Sequence, residues 1–236
     1  MNYNLIAPFY SDLAMSKNEY LDGVDAFLVT SLSGFEVTTY LDIGCGDGVR
    51  TIRLHEKLSC PSTDGVDLST GMIDKARANL HGPSDISFYQ INTIKDISGE
   101  PRDLVTMLWN VLGHVPEESR LQFLKDIRKK VKKNGLFFLD VNNYYYYRYG
   151  PLRVIYRVIK DKIFPPQSFK SGDLRFRMKI GSQDIECTGH IFRPFEIINL
   201  LKKSGFVIEK LEYIDYNNGT SGTQIYSGQI SILCRN

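Results

Sequence analysis

The chain has 236 residues, 42% of them hydrophobic and 24% charged, with 29 basic against 27 acidic side chains and a formal net charge of +2. A chain of this length buries about 70% of its unfolded surface, and an aromatic content of 12% excludes a disordered polymer. No apolar run approaches the roughly 18 residues of a membrane span, no secretory leader pattern opens the chain, and the near-neutral charge implies no polyanion partner.

Short apolar runs alternate with amphipathic stretches from residue 39 onward. Thr39–Ile43 reads as a strand ending at glycines. Asp47–Leu58 follows at helical spacing, with Val49, Ile52, Leu54 and Leu58 apolar. Asp64–Val66 is a short strand leading to Asp67. Ser69 is positioned to cap a helix to Leu80 that gathers Met72, Ile73 and Ala76 on one face. Ile86–Ile91 and Asp103–Trp109 read as further strands, the second with the nearly unbroken apolar run of a strand covered on both faces. Leu121, Leu124, Ile127 and Val131 define a helix over Glu117–Val131. The pair Asn134-Gly135 should stop it before a strand at Leu136–Val141. Repeated strand-helix units of this kind form parallel sheets.

The pattern breaks after residue 142. Tyr144, Tyr145, Tyr146, Tyr147 and Tyr149 lead into PLRVIYRVIKDKIFPPQ, rich in basic residues, and residues 167–193 show the loose alternation of antiparallel strands. Pro194 begins a clear helix with Gly205 just past its end. Phe206–Ile214 and Gly228–Leu233 close the chain as two strands across a turn-rich NNGTSG loop. Cys45, Cys60, Cys187 and Cys234 contain no C-x-x-C pair and lie too far apart for a metal knuckle. They read as reduced thiols of a cytoplasmic protein, and no metal site is expected.

The chemistry centres on Asp42-Ile43-Gly44-Cys45-Gly46-Asp47-Gly48, between a strand and a helix. Glycines at 44 and 46 let the backbone turn tightly and approach a ligand where a Cβ would collide. Asp67 ends the next strand, 19 residues beyond Gly48, where a carboxylate accepts both hydroxyls of a ribose. The dinucleotide fingerprint is broken because Val49 stands where its last glycine belongs, and no G-K-[ST] follows to make a phosphate loop.

D-x-G-x-G-x-G with an acid on the second strand resembles the Rossmann-like, class I S-adenosylmethionine-dependent methyltransferases, across residues 39–142 and 194–234. The resemblance implies an α/β fold: a seven-stranded, mostly parallel sheet with an antiparallel last strand, helices on both faces and an insertion after strand five. It implies S-adenosyl-L-methionine as cofactor and S-adenosyl-L-homocysteine as product. Asp42, Gly44, Cys45 and Gly46 would form the cofactor loop, Asp67 would bind the ribose, and Leu68 and Met72 would border the adenine. Asn92 and Thr93 sit where the family contacts the adenine amino group, with Asn92 replacing the usual acid. Trp109 and Asn110 match the position lining the methionine moiety. Tyr3 and Tyr10 lie in a segment resembling the family's aromatic lid, from which a tyrosine touches cofactor or substrate. The chain is then a single domain over 1–236: N-terminal lid helices (1–35), cofactor core (39–142), substrate-side insertion (143–193), and closing helix and hairpin (194–236).

His114 falls just past strand four, where α/β ligands bind. It reads either as a general base for an amine or hydroxyl or as a loop histidine, and its Gly-His pair is similar to one in amino-sugar N-methyltransferases. His190 and Arg193, in a closing pattern similar to that of small-molecule members, and Tyr145 are candidate substrate contacts. The tyrosine run could equally pack beneath a loop. The function expected is methyl transfer to a nitrogen or oxygen of a small-molecule acceptor by in-line displacement, in a monomer or homodimer with neither a nucleic-acid nor a membrane partner. An RNA or protein methyltransferase and a non-catalytic cofactor-binding module are the alternatives. The absent [ND]-P-P-[FYW] motif and the near-neutral charge weigh against base methylation.

Overall fold

The computed structural model describes residues 3–82, 85–180 and 183–236. The chain opens with helices α1 (Tyr3–Ile6), α2 (Tyr10–Met15) and α3 (Asn18–Ser31). Then β1 (Thr39–Ile43), α4 (Val49–Leu58), β2 (Ser62–Asp67), α5 (Thr70–Ala78), β3 (Ile86–Gln90), β4 (Arg102–Met107), α6 (Glu117–Arg128) and β5 (Val131–Val141) build the framework. After it come α7 (Pro151–Ile163), β6 (Asp173–Ile180), β7 (Gln183–His190), α8 (Pro194–Ser204), β8 (Val207–Ile214), β9 (Ser221–Gly222) and β10 (Gln229–Arg235).

The main sheet runs β3-β2-β1-β4-β5-β10-β8-β9. The first five strands in that order are mutually parallel, and β10 enters antiparallel between β5 and β8. This is the Rossmann-like α/β sheet that the motif order implied. The two-residue β9, paired with β8 in the turn-rich loop, adds an eighth strand to the seven expected. Strands alternate their side chains between two covered faces. Leu41, Ile43, Phe137 and Leu139 point to the layer containing α6 and α8, where Leu124, Ile127, Ile197 and Leu201 are buried. Tyr40, Leu104, Leu136 and Phe138 point the other way, against Tyr20, Val24, Leu28 and Leu54 of α3 and α4. Ser69 caps α5 as its sequence implied, accepting from the Met72 amide, and Gly205 ends α8 in the left-handed region.

Most element boundaries move by one or two residues from the sequence expectation, and the widest difference is between α6 and β5. Helix α6 ends at Arg128, and Val131 begins β5 instead of closing the helix. Val131 satisfies the helical period, but it is buried opposite Arg102 in the sheet. Asn134, at φ +63°, and Gly135 therefore form an irregularity inside β5, where the register to β4 shifts, and do not act as a helix stop. The basic stretch after the tyrosines, left unassigned by periodicity, is the helix α7.

The alternating residues of the insertion pair with each other as a separate two-stranded sheet, β6-β7. The insertion leaves and rejoins the framework at one point. The Tyr144 amide donates to the Phe192 carbonyl (2.8 Å) and the Phe192 amide to the Asn142 carbonyl (2.7 Å). Among the described residues no helix is long and apolar enough to cross a membrane.

Candidate active site

The strand order reverses between β1 and β4, and in open α/β sheets ligands bind beyond the carboxyl ends of strands at such a point. A cavity of about 900 Å³ lies there, toward the upper end of small-molecule sites, which span about 300–1,000 Å³.

Backbone conformation builds one end of it. Gly44 and Gly46 line the cavity at φ +76° and +57°, in the region that favours glycine. A Cβ on Gly44 would come within 2.6 Å of Val111, and one on Gly46 within 3.1 Å of the Tyr10 ring, which covers the loop. Asp67, also lining the cavity, accepts from the Gly46 amide (3.1 Å) through Oδ2 and from the Ser69 amide (2.8 Å) through Oδ1. Burial raises its pKa, and the two amides oppose that shift. Each carboxylate oxygen keeps a further lone pair for a ligand hydroxyl. Leu68, Met72, Ile91, Asn92 and Thr93 continue the wall away from the loop.

Two of the four residues expected to form the cofactor loop, Asp42 and Cys45, do not reach the cavity. Asp42 is buried beneath the loop, where it accepts from Thr51 Oγ1 (2.5 Å) and Thr106 Oγ1 (2.7 Å) and ties β1 to α4 and β4. Cys45 turns its side chain into a core cluster with Ile73, Ala76 and Phe88, and burial pushes its thiol pKa well up.

Trp109 and Asn110 stand past the end of β4, both in the left-handed region (φ +58° and +60°), and both line the cavity. Two adjacent non-glycine residues in this region cost about 1–3 kcal/mol each, and Asp140 of β5 holds them there. Its Oδ1 accepts from the Trp109 amide (2.7 Å), its carbonyl from the Asn110 amide (3.1 Å), and its Oδ2 from the Tyr20 hydroxyl (2.6 Å). The Asn110 carboxamide accepts from the Asn142 amide (3.0 Å) and donates to the His190 carbonyl (3.3 Å), so the strand-four loop also touches both ends of the insertion.

Side chains from distant elements build the other end. His114, in a 3-10 turn at Val111–His114, lies 2.9 Å through Nδ1 from the Thr188 carbonyl of β7. A carbonyl only accepts, so Nδ1 carries the hydrogen and Nε2 is the basic nitrogen of the neutral ring. Burial lowers the pKa of His114, which keeps the ring neutral at lower pH. His190 also lines the cavity, but its nitrogens are engaged with Asp173 (2.6 Å) and Glu196 (2.9 Å), which fixes the base of β7 to α8.

Two proposed substrate contacts lie elsewhere. Tyr145 and Arg193 meet at the buried Asp161, whose Oδ2 accepts from the Tyr145 hydroxyl (2.8 Å) and Arg193 Nε (2.5 Å). The Arg193 guanidinium also stacks 3.9 Å over the Tyr144 ring. None of Tyr144–Tyr149 lines the cavity, so packing beneath the insertion accounts for that run. The side chain of Tyr3 lies outside the described residues.

The residues that do wall this end were not singled out from sequence. Glu118, Gln122 and Phe123 share one face of α6, Leu174 and Phe176 come from β6, and Tyr216 accepts from Trp109 Nε1 (3.3 Å). The helical spacing of the α6 group was a usable signal, whereas nothing local marks Phe176 or Tyr216. Among the described residues, no group of three or more His, Cys, Asp or Glu side chains could hold a metal ion.

Comparison with known proteins agrees with this geometry. Residues 41–135 match the family described as "Methyltransferase domain". A curated relative, the mitochondrial ubiquinone biosynthesis O-methyltransferase of Candida albicans, is 34% identical over 111 residues, which are 44% of this chain and 32% of that protein. The chain thus spans about a third of that relative's length. Among solved structures, an S-adenosylmethionine-dependent methyltransferase from Clostridium acetobutylicum superposes with a TM-score of 0.65 at 18% identity, covering 99% of this chain and 98% of that one. A DhpI-SAM-HEP complex gives 0.68 at 17% identity, covering 99% and 94%. At these identities the structural likeness is one of fold.

The fold is that of class I S-adenosylmethionine-dependent methyltransferases, and residues 41–135 match a methyltransferase domain. S-adenosyl-L-methionine is the ligand named for solved structures of this fold. The residues present fit that molecule. The half-buried Asp67 carboxylate suits a ribose diol, and the left-handed glycines leave a cradle that any Cβ would fill.

Proposed function

We propose that the protein transfers a methyl group to a nitrogen or oxygen of a small-molecule acceptor held beside His114. Gly44, Gly46, Asp67, Leu68, Met72, Asn92, Thr93, Trp109 and Asn110 would hold the cofactor. His114, Phe123, Phe176 and the α6 face would hold the acceptor. The observation carrying this reading is the single cavity that joins the glycine loop to a histidine whose tautomer is already set.

The bound cofactor supplies an electrophilic methyl group on a positively charged sulfur. Tyr10 and Trp109, whose ring centroids are 5.6 Å apart, close over the loop and exclude water from the space between cofactor and acceptor. His114 Nε2 takes the proton of an acceptor hydroxyl as its oxygen forms the new bond, and the hydrogen on Nδ1 stays with the Thr188 carbonyl. An amine acceptor enters neutral and loses its proton to the same nitrogen after transfer. Alignment of the two reactants provides most of the acceleration in such a displacement. The oxygen direction draws support from the role of a base and from the O-methyltransferase name of the Candida relative. Cys45, Cys60 and Cys234 are buried free thiols, which fits the cytosol as compartment.

The test is calorimetry with S-adenosyl-L-methionine, followed by incubation of labelled cofactor with a metabolite extract and mass identification of the product. Binding with a labelled small product is the expected result. Label appearing only in RNA or protein, or binding with no transfer to any acceptor pool, would overturn the reading.

A further inference from the structure

Helix α7 carries a surface that methyl transfer does not use. Its inner side is accounted for: Val154 and Val158 pack with Tyr144, Tyr145 and Ile191, and Asp161 is buried on Arg193 and Tyr145. Its outer side is apolar and open. Leu152 is 84% exposed, and Ile155, Tyr156, Ile159 and Ile163 are each more than half exposed. At 3.6 residues per turn these five fall within an arc of about 100°. Phe164, 71% exposed, extends the stripe past the last turn. An amphipathic helix with a strong apolar face turned to solvent needs a partner, because isolated soluble chains rarely leave such a patch open.

The flanking charges name the partner. Arg153 and Lys160 border the stripe on one side and Lys162 on the other, all exposed. Between Asn142 and Gly172 the sequence has six basic residues and one acid, Asp161, which is buried. A second copy of this face would set the same cations against one another with no exposed acid on the helix to neutralise them. A bilayer rich in acidic lipids accepts both features, with apolar side chains entering the acyl boundary and lysine and arginine meeting the headgroups.

We propose that α7 is an in-plane membrane anchor which docks the protein on anionic lipid surfaces. The sequence expectation of no membrane partner rested on the lack of a spanning segment, and lying on a bilayer makes a different demand from crossing it. The anchor sits beside the site. Val154 of α7 packs with Ile191, and Ile191 lines the cavity. The inference stands apart from the methyl-transfer reading and is tested by binding alone.

The experiment is co-sedimentation with vesicles of phosphatidylcholine containing a quarter phosphatidylglycerol, at low and high salt, with the oligomeric state followed by analytical ultracentrifugation. The wild-type chain should pellet with the vesicles and be released as salt rises. The double variant Ile155→Asp/Ile159→Asp should stay in solution. The triple variant Arg153→Gln/Lys160→Gln/Lys162→Gln should bind about a hundredfold more weakly, at about fivefold per cation. All five side chains are exposed, so circular dichroism should find both variants folded. Three results would each overturn the proposal: no wild-type binding, equal binding by the double variant, or a dimer that Ile155→Asp/Ile159→Asp dissolves.

Discussion

The two ends of the cavity are made in different ways. At the glycine-loop end the wall is local. Gly44 and Gly46 follow β1 and Asp67 ends the adjacent β2, and main-chain amides bind the acidic side chain. At the His114 end the wall is assembled from a 3-10 turn, one face of α6, a hairpin strand and the loop after β8. Parts of it are held by partners far away in the chain, such as Thr188 for His114 and Trp109 for Tyr216. A locally built site tolerates change around it but not within it. An assembled one depends on buried polar contacts that never touch a ligand.

That difference can be broken experimentally. Arg193→Ala should have the largest effect, a loss of about 3–5 kcal/mol of stability in urea unfolding, because it strands Asp161 as an uncompensated buried charge. Near-native stability with a raised acceptor KM would instead make Arg193 a substrate contact. His114→Gln should lower kcat by about a hundredfold while leaving cofactor affinity unchanged in calorimetry. The pH profile sharpens this. Base catalysis needs the neutral ring, burial lowers its pKa, and activity should therefore persist below the ordinary histidine midpoint before falling. His114→Gln should remove that acidic limb.

Asp67→Ala should weaken cofactor binding by about tenfold to a hundredfold, the range of charge-assisted hydrogen bonds, with little change in melting temperature. Asn92→Ala should have the smallest effect, a loss of about two- to tenfold in cofactor affinity, as befits one neutral hydrogen bond. An Asn92 effect larger than that of Asp67 would reverse the ranking of the loop end.

Legibility in the sequence followed the same division. Glycines that need left-handed backbone, the Ser69 cap and the acid ending β2 are short-range features, so spacing identified them. Asp42 and Cys45 share the motif with Gly44 but face the core, because a motif marks a stretch of backbone and leaves side-chain direction to the fold. By sequence the tyrosine run fits a pocket wall and packing beneath a loop equally, and what decides is that its hydroxyls find Asp161 and Asp215, residues no local pattern links to it. Val131 fits a helix stripe and a strand start equally well by period, and pairing with β4 decides between them. Phe176 and Tyr216 reach the cavity only through long-range assembly.

The contact between His114 and Thr188 has a consequence for how this protein can vary. The hairpin supplies a main-chain oxygen, which every amino acid possesses. The exposed Thr188 side chain is therefore free to drift without changing which imidazole nitrogen is basic. A saturation library at position 188 should be nearly silent for proton transfer, whereas inserting or deleting one residue in the strand should abolish it. Chemistry and specificity would thus be separable within the hairpin: one in the backbone path of β7, the other in the Leu174 and Phe176 side chains of β6 that line the cavity.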